Sequence, residues 1–269
     1  MKSFTVLPRS IFSPALLILA LILILVLIIS SILLFSINVF QPLNLSELSA
    51  DTLYWISLTG SKPYAGLTIL VMLAMGYILL SREKRFSFVL SLGGSLVLLL
   101  ALNALLKPYF QHDRPHIVWL EQQGLLHSED FYHFDKAERK LLIQDSLQQL
   151  ALKQPELDQP KIVVPQSVQR HWQQQVSYSF PSGHMLFATS IFIVVGFYLL
   201  AAGHSVLTML LFCWLIAMAA TRLLLGVHWP QDILASIFTG SGIGVISLGI
   251  AHSSLHKYFI EWRNRFILR

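Results

Sequence analysis

A chain of 269 residues that is 55% hydrophobic and 12% charged carries about half the charge expected of a soluble domain. That composition excludes a disordered, fibrous or ordinary soluble globular protein. The formal net charge of +5 sits in short clusters beside apolar runs, which argues against nucleic-acid binding and for contact with anionic lipid headgroups.

Lys2 and Arg9 precede an apolar stretch that is too long for a secretory leader and lacks a small-residue cleavage site. Residues 11–38 are therefore expected to remain as a first membrane span. Two further charge-poor runs, 64–81 and 86–106, predict spans two and three, with Arg82, Lys84 and Arg85 between them. Residues 107–182 break the composition, being polar, Gln-rich and home to most of the acids. Within this insert, Phe134, Ala137, Leu141, Ile143, Leu147 and Leu150 recur at helical spacings and predict a helix over 129–153. The charged run Asp135–Lys140 reads as its solvated face, and Pro155, Pro160 and Pro165 end it in an extended return. Spans four to six follow at 183–203, 206–224 and 231–251. Gly93 and Gly94 in span three, with Gly240, Gly242 and Gly244 in span six, read as positions of close helix approach.

These spans must be helices, because only a helix satisfies its own backbone in hydrocarbon and none of the runs alternates apolar with polar. The expected fold is all-α, a polytopic membrane protein with one domain over 1–269. It has six transmembrane helices and a helical extracytoplasmic insert between the third and fourth. Lys257, Arg263, Arg265 and Arg269 after span six join the earlier basic clusters on one side. Both termini are thus expected in the cytoplasm and the insert outside. The single cysteine, Cys213, excludes an intrachain disulfide.

Ionisable residues at the ends of spans are costly and so are functional candidates. Lys107 ends span three, with Arg114 just beyond it; Ser182, Gly183 and His184 open span four; Arg222 closes span five; His228 and Asp232 open span six. Alternating helix direction gathers all of these on one membrane face. Lys107, Arg114 and Arg222 supply donors and no acceptors, which suits a phosphate dianion. The Pro181-Ser182-Gly183-His184 helix start offers free amides, and Gly183 lets backbone approach an anion. A carboxylate at Asp232 accepting Nδ1–H from His228 leaves Nε2 free to attack, and His184 then protonates the leaving oxygen. That is metal-free phosphoryl transfer through a phosphohistidine.

Blander readings compete. Arg222 taken alone reads equally well as a snorkelling side chain. His112 and His116 stand four apart, but the intervening Asp113-Arg114-Pro115 is no zinc-ligand pattern, so no metal site is expected. His204 and His252 are assigned no role.

The three clusters stand as Lys107-PYFQHD-Arg114-Pro115, Pro181-Ser182-Gly183-His184 and Thr221-Arg222-LLLGV-His228-WPQ-Asp232. In that order and spacing they resemble the signature of the type 2 phosphatidic acid phosphatase superfamily. One departure is Thr221, where that family usually has Ser, which puts a supporting hydrogen bond in question. The likeness continues through HIVWLEQQG after Pro115, DKAERK, His171-Trp172 and LLLGVHWPQD, towards bacterial members of the family. The resemblance implies His228 as nucleophile, His184 as general acid and Asp232 as orienting carboxylate. It implies phosphate binding by Lys107, Arg114, Ser182, Gly183 and Arg222, with no metal and no cofactor. It also implies a bacterial inner-membrane enzyme with a periplasm-facing site. Its substrates would be phosphatidylglycerol phosphate, phosphatidic acid, diacylglycerol pyrophosphate or undecaprenyl pyrophosphate.

The expected partners are these lipid phosphates and bilayer phospholipids, with no nucleic acid and no obligate protein partner inferred. A phosphotransferase, resolving the same intermediate with a lipid acceptor instead of water, is the nearest rival. A soluble haloperoxidase built around vanadate is opposed by the apolar spans. An anion or lipid transporter is opposed by a cluster at one interface and the lack of an internal repeat.

Overall fold

The apolar runs form helices in the computed structural model, which describes residues 14–35, 40, 45–153 and 164–253. The described residues are all-helical, with no strand among them. In chain order the helices are α1 (Pro14–Leu34), α2 (Glu47–Leu58), α3 (Tyr64–Leu79), α4 (Arg82–Phe110), α5 (Pro115–Gln122) and α6 (Ser128–Phe131). They continue with α7 (Lys136–Lys153), α8 (Gln166–Gln174), α9 (Gly183–Ala201), α10 (Ser205–Leu224) and α11 (Pro230–His252). Lys2, Arg9, Pro155, Pro160 and the basic residues from Lys257 onward lie outside the described residues, as do both ends of the expected first span.

Five helical stretches are long and apolar enough to cross a membrane: Pro14–Leu34, Arg82–Gln122 (α4 with α5), Gly183–Ala201, Ser205–Leu224 and Pro230–His252. The expected second span is shorter. At 16 residues α3 rises only about 24 Å, against a hydrocarbon core of about 30 Å. Outward faces of α1, α3 and α4 expose Leu19, Leu27, Leu67, Leu70, Val97 and Leu100, more apolar surface than a water-soluble monomer tolerates. This is an integral membrane protein.

Helix α9 is the axis of the bundle, packed by α1, α3, α4, α10 and α11. Its apolar window is 78% buried, whereas that of α4 is 22% buried and faces outward. Two glycines of α11 set the closest crossing. A Cβ at Gly244 would lie 2.6 Å from Ile193 Cβ, and one at Gly240 3.0 Å from the Leu186 carbonyl oxygen. Gly93 and Gly242 face open space and Gly94 meets only Ser247, so close approach belongs to Gly240 and Gly244 alone among the five expected positions. Gly244→Val is expected to overpack this seam and cost about 1–3 kcal/mol. Gly242→Val is the matched control; thermal unfolding in detergent should drop for the first variant and hold for the second.

The insert differs from its expected form. The helix predicted over 129–153 begins only at Lys136, where Asp135 Oδ1 accepts from Ala137 N (2.7 Å) and Glu138 N (2.9 Å) and Glu138 Oε2 accepts from Asp135 N. This reciprocal cap outcompetes any earlier start. Ile143, Leu147 and Leu150 are buried as predicted, while Phe134, Ala137 and Leu141 point outward, because the apolar stripe starts a turn later. The run Asp135–Lys140 is solvated except for half-buried Arg139, which donates to the carbonyls of Tyr132, Phe134 and Val176.

Helix α2 carries no membrane-length apolar run and was not expected. Ser46 caps it by accepting from Ser49 N, and it packs on α8 and α10. A second apolar core joins it to the insert through Ala50, Ile117, Leu120, Phe131, Ile143 and Trp172, with Leu225 and Val227 from the α10–α11 turn. Trp172 Nε1 donates to the Leu225 carbonyl at 2.8 Å, fixing the insert to that turn.

Candidate active site

The α10–α11 turn is built by local rules. Gly226, at φ +65°, takes the left-handed conformation that ends a helix without Cβ strain, and the N–H groups of Val227 and His228 fold back onto the Arg222 carbonyl. Pro230 then begins α11, and Asp232 two residues later reaches back to accept from Trp229 N at 2.9 Å. The turn therefore fixes His228 and Asp232 to each other. His228 Nδ1 lies 3.5 Å from Asp232 Oδ2, and Asp232 is fully buried.

Arg114 sits just before α5 and is 1% exposed. Its guanidinium donates to the carbonyls of Ser177, Tyr178 and Val227, and its Nη1 lies 3.3 Å from His228 Nε2. Lys107, in the last turn of α4, donates to the Tyr178 carbonyl at 2.9 Å, so the 177–178 backbone holds both cations. Arg222 is fully buried near the end of α10. Its Nε donates to Thr221 Oγ1 at 3.0 Å and its Nη2 to Ser57 Oγ. The threonine hydroxyl thus makes the supporting bond that its departure from serine put in question.

At the start of α9, Ser182 N donates to Ser236 Oγ of α11, and His184 Nε2 is hydrogen-bonded to Ser61 Oγ at 2.7 Å. Gly183 turns its bare face to Asn103 of α4, whose Oδ1 lies 3.4 Å from where a Cβ would be. Ser182 Oγ and Arg222 Nη1 are buried with no hydrogen-bond partner among the described residues. Buried donors are rarely left this way.

Residues 88–254 match the PAP2 superfamily, a stretch that contains every one of these side chains except Ser57 and Ser61. The chain belongs to the PAP2 superfamily. It is also similar to phosphatidylglycerophosphatase B of Haemophilus influenzae, 30% identical over 192 residues (68% of this chain, 75% of that protein). Against phosphatidylglycerophosphatase B of Escherichia coli strain K12 the identity is 25% over 200 residues, or 74% of each chain. This PAP2 protein is a lipid phosphatase.

Of the eight site residues read from the PAP2 signature, the fold brings Arg114, His228 and Asp232 into one connected group, with Lys107 joined through the shared Tyr178 carbonyl. Arg222 and His184 stand in separate hydrogen-bonded groups, reached through Ser57 and Ser61. Among the described residues no side-chain hydrogen bond links His184 to His228, yet the two lie within electrostatic reach. Burial first, then the Arg114, Lys107 and Arg222 cations and His184, push the His228 imidazole well below its ordinary range. It is neutral at pH 7, the state in which a ring nitrogen has a lone pair. His112 and His116 do not share a focus: His112 Nδ1 bonds Asp232 Oδ1 at 3.1 Å, while His116 Nδ1 bonds the Gly226 carbonyl and its ring stacks on Trp172.

Several groups in the site were not foreseen. Ser57, Ser61, Ser177, Ser179, Ser236 and Asn103 all touch it, and fully buried His171 lies 3.5 Å from Ser57 Oγ. Burial, followed by the Arg222 charge, holds His171 well below the usual imidazole range. Only the serine beside Phe180-Pro181-Ser182 carried any signal, by its nearness to the motif.

Proposed function

We propose that this phosphatase hydrolyses phosphate monoesters or pyrophosphates of membrane lipids through a phosphohistidine on His228. One observation carries the reading: a neutral, buried imidazole has Nε2 against the Arg114 guanidinium and Nδ1 facing a buried carboxylate. The two guanidiniums alone outweigh the single Asp232 charge, and Lys107 adds a further donor, so the pocket favours a dianion. On substrate entry Arg114 shifts its Nη1 from the ring to a phosphate oxygen. His228 Nε2 attacks phosphorus, the bond to the leaving oxygen breaks, and His184, which takes up a proton as the phosphate dianion enters, gives it to that oxygen. Water then attacks the phosphohistidine, returns a proton to His184 and releases phosphate. Ser182 Oγ and Arg222 Nη1, both buried without a partner, receive the remaining phosphate oxygens.

Phosphatidylglycerol phosphate follows from the relatives' name, and the family resemblance adds phosphatidic acid, diacylglycerol pyrophosphate and undecaprenyl pyrophosphate, each offering a phosphate to the same cationic pocket. We read α3 as a sixth span completed by the residues flanking it. Both termini then lie in the cytoplasm, and the site opens to the periplasm of a bacterial inner membrane. The whole chain forms one domain in this reading, with the insert over the cationic cluster.

A phosphate-release panel on purified protein with those four lipids, run in EDTA, tests the proposal. Release is expected to be unchanged by the chelator. Complete loss that a divalent ion restores overturns the metal-free mechanism, and label appearing only in another lipid identifies a phosphotransferase instead.

A further inference from the structure

Asp232 is held on both sides. Its Oδ1 accepts from His112 Nδ1 at 3.1 Å, and its Oδ2 accepts from the Trp229 backbone N–H at 2.9 Å. Those two bonds fix the carboxylate plane, and in that plane Oδ2 is still 3.5 Å from His228 Nδ1, beyond a good hydrogen bond. The gap is filled. Ser179, fully buried in the connection to α9, has its Oγ 3.3 Å from His228 Nδ1 and donates to Asp232 Oδ2. The serine is itself fixed by a bond from its backbone N–H to the His112 carbonyl at 2.7 Å.

We infer that Ser179 is a positioning residue, and that the unit orienting the nucleophile is Asp232–Ser179–His228 in series. This rests on the phosphohistidine reading above. The Ser179 O–H donates to the carboxylate, so its lone pair is free to accept Nδ1–H from His228. That sets the ring tautomer and leaves the Nε2 lone pair directed at the phosphate. When Nε2 bonds to phosphorus the ring becomes cationic, and the hydroxyl passes the carboxylate's field to Nδ1–H without any proton changing owner. A carboxylate held by His112 and Trp229 cannot swing to replace the hydroxyl, so its loss is not made good by Asp232.

Ser179→Ala and Ser179→Cys, measured with phosphatidic acid in detergent, test the inference. Ser179→Ala is expected to lower kcat by about 10–100-fold, the order found when a hydrogen-bonded group that orients a metal-bound imidazole is removed, with KM within about twofold of the parent. Ser179→Cys fills the same space with a poor hydrogen-bonding group and is expected to retain the loss. A purely structural role predicts a changed KM or unfolding temperature in Ser179→Ala and recovery in Ser179→Cys. Wild-type kcat in the alanine variant, or full recovery with cysteine, overturns the inference. The two readings fail separately: activity in His228→Ala removes the phosphohistidine and this role with it. Inactive His228→Ala beside fully active Ser179→Ala removes only the serine's role.

Discussion

His228→Ala is expected to abolish phosphate release, lowering kcat by about four orders of magnitude or more, the scale on which an enzyme loses its nucleophile. The protein should remain folded. Asp232 keeps its bonds from His112, Ser179 and the Trp229 backbone, so no buried carboxylate is stranded, and the turn is still closed by Gly226 and Pro230. A buried imidazole beside two guanidiniums is also no great source of stability, since burial and those charges oppose its protonated form. The sign of the pH effect follows. With the folded-state pKa depressed, an unfolded chain takes up a proton at this site below about pH 6.5 that the native protein refuses, so native stability falls as pH drops through that value. Replacing the residue should flatten that acid loss slightly while removing turnover. Detergent-purified variant, followed by phosphate release and thermal unfolding, checks both halves; residual turnover near the parent's ends the nucleophile assignment.

Arg222→Lys is expected to lower kcat/KM by about 100–1,000-fold although it conserves the charge, because the proposed site needs one guanidinium to hold two hydroxyls and a phosphate oxygen at fixed angles. Nε is held by Thr221, Nη2 by Ser57, and Nη1 is left over and buried. An ammonium has no such fork. Its three N–H groups radiate from one nitrogen, so they do not span the separated directions that the planar fork reaches. Inhibition by inorganic phosphate should weaken in parallel, and this is the measurement that separates lost anion contact from a folding defect. A lysine variant as active as the parent would show that net charge alone matters at this position.

Which features could be read from residues alone is decided by whether their cause is local. The long spans were legible because hydrocarbon imposes a length and a composition that few other structures share. The helix that carries the expected third span is longer than the apolar run alone predicts, since its first turn is charged: Arg82 to Arg85 belong to α4 all the same. Helix α2 escaped because Glu47–Leu58 mixes Ser, Asp and Thr with its apolar residues, and its cap rests on one serine hydroxyl. In the insert, the Asp135–Glu138 cap decided the helix start, a signal present in the sequence but outweighed there by the apolar spacing of Phe134 and Ala137. In the site, the i,i+4 pair of His228 and Asp232 was visible, since one turn of chain joins them. Ser57 and Ser61 were not visible and Ser179 was marked only by its nearness to the motif: serine is common, and each acquires its meaning only by meeting a partner from a distant part of the chain.

The two bare positions where α11 crosses α9 reach further than the seam they close. Both helices start at the end that holds the candidate site and run away from it side by side. Gly244 is therefore about 18 Å down the axis from Asp232, at 1.5 Å of rise per residue. The crossing acts as a gauge block: the absence of two methyl groups deep in the bundle sets how closely α9, which carries His184, stands against α11, which carries Asp232. A bulky residue at that depth would wedge the rods apart and, on the proposed mechanism, put His184 and Asp232 out of adjustment. Silent enzymes can thus arise from positions that hold no chemistry at all.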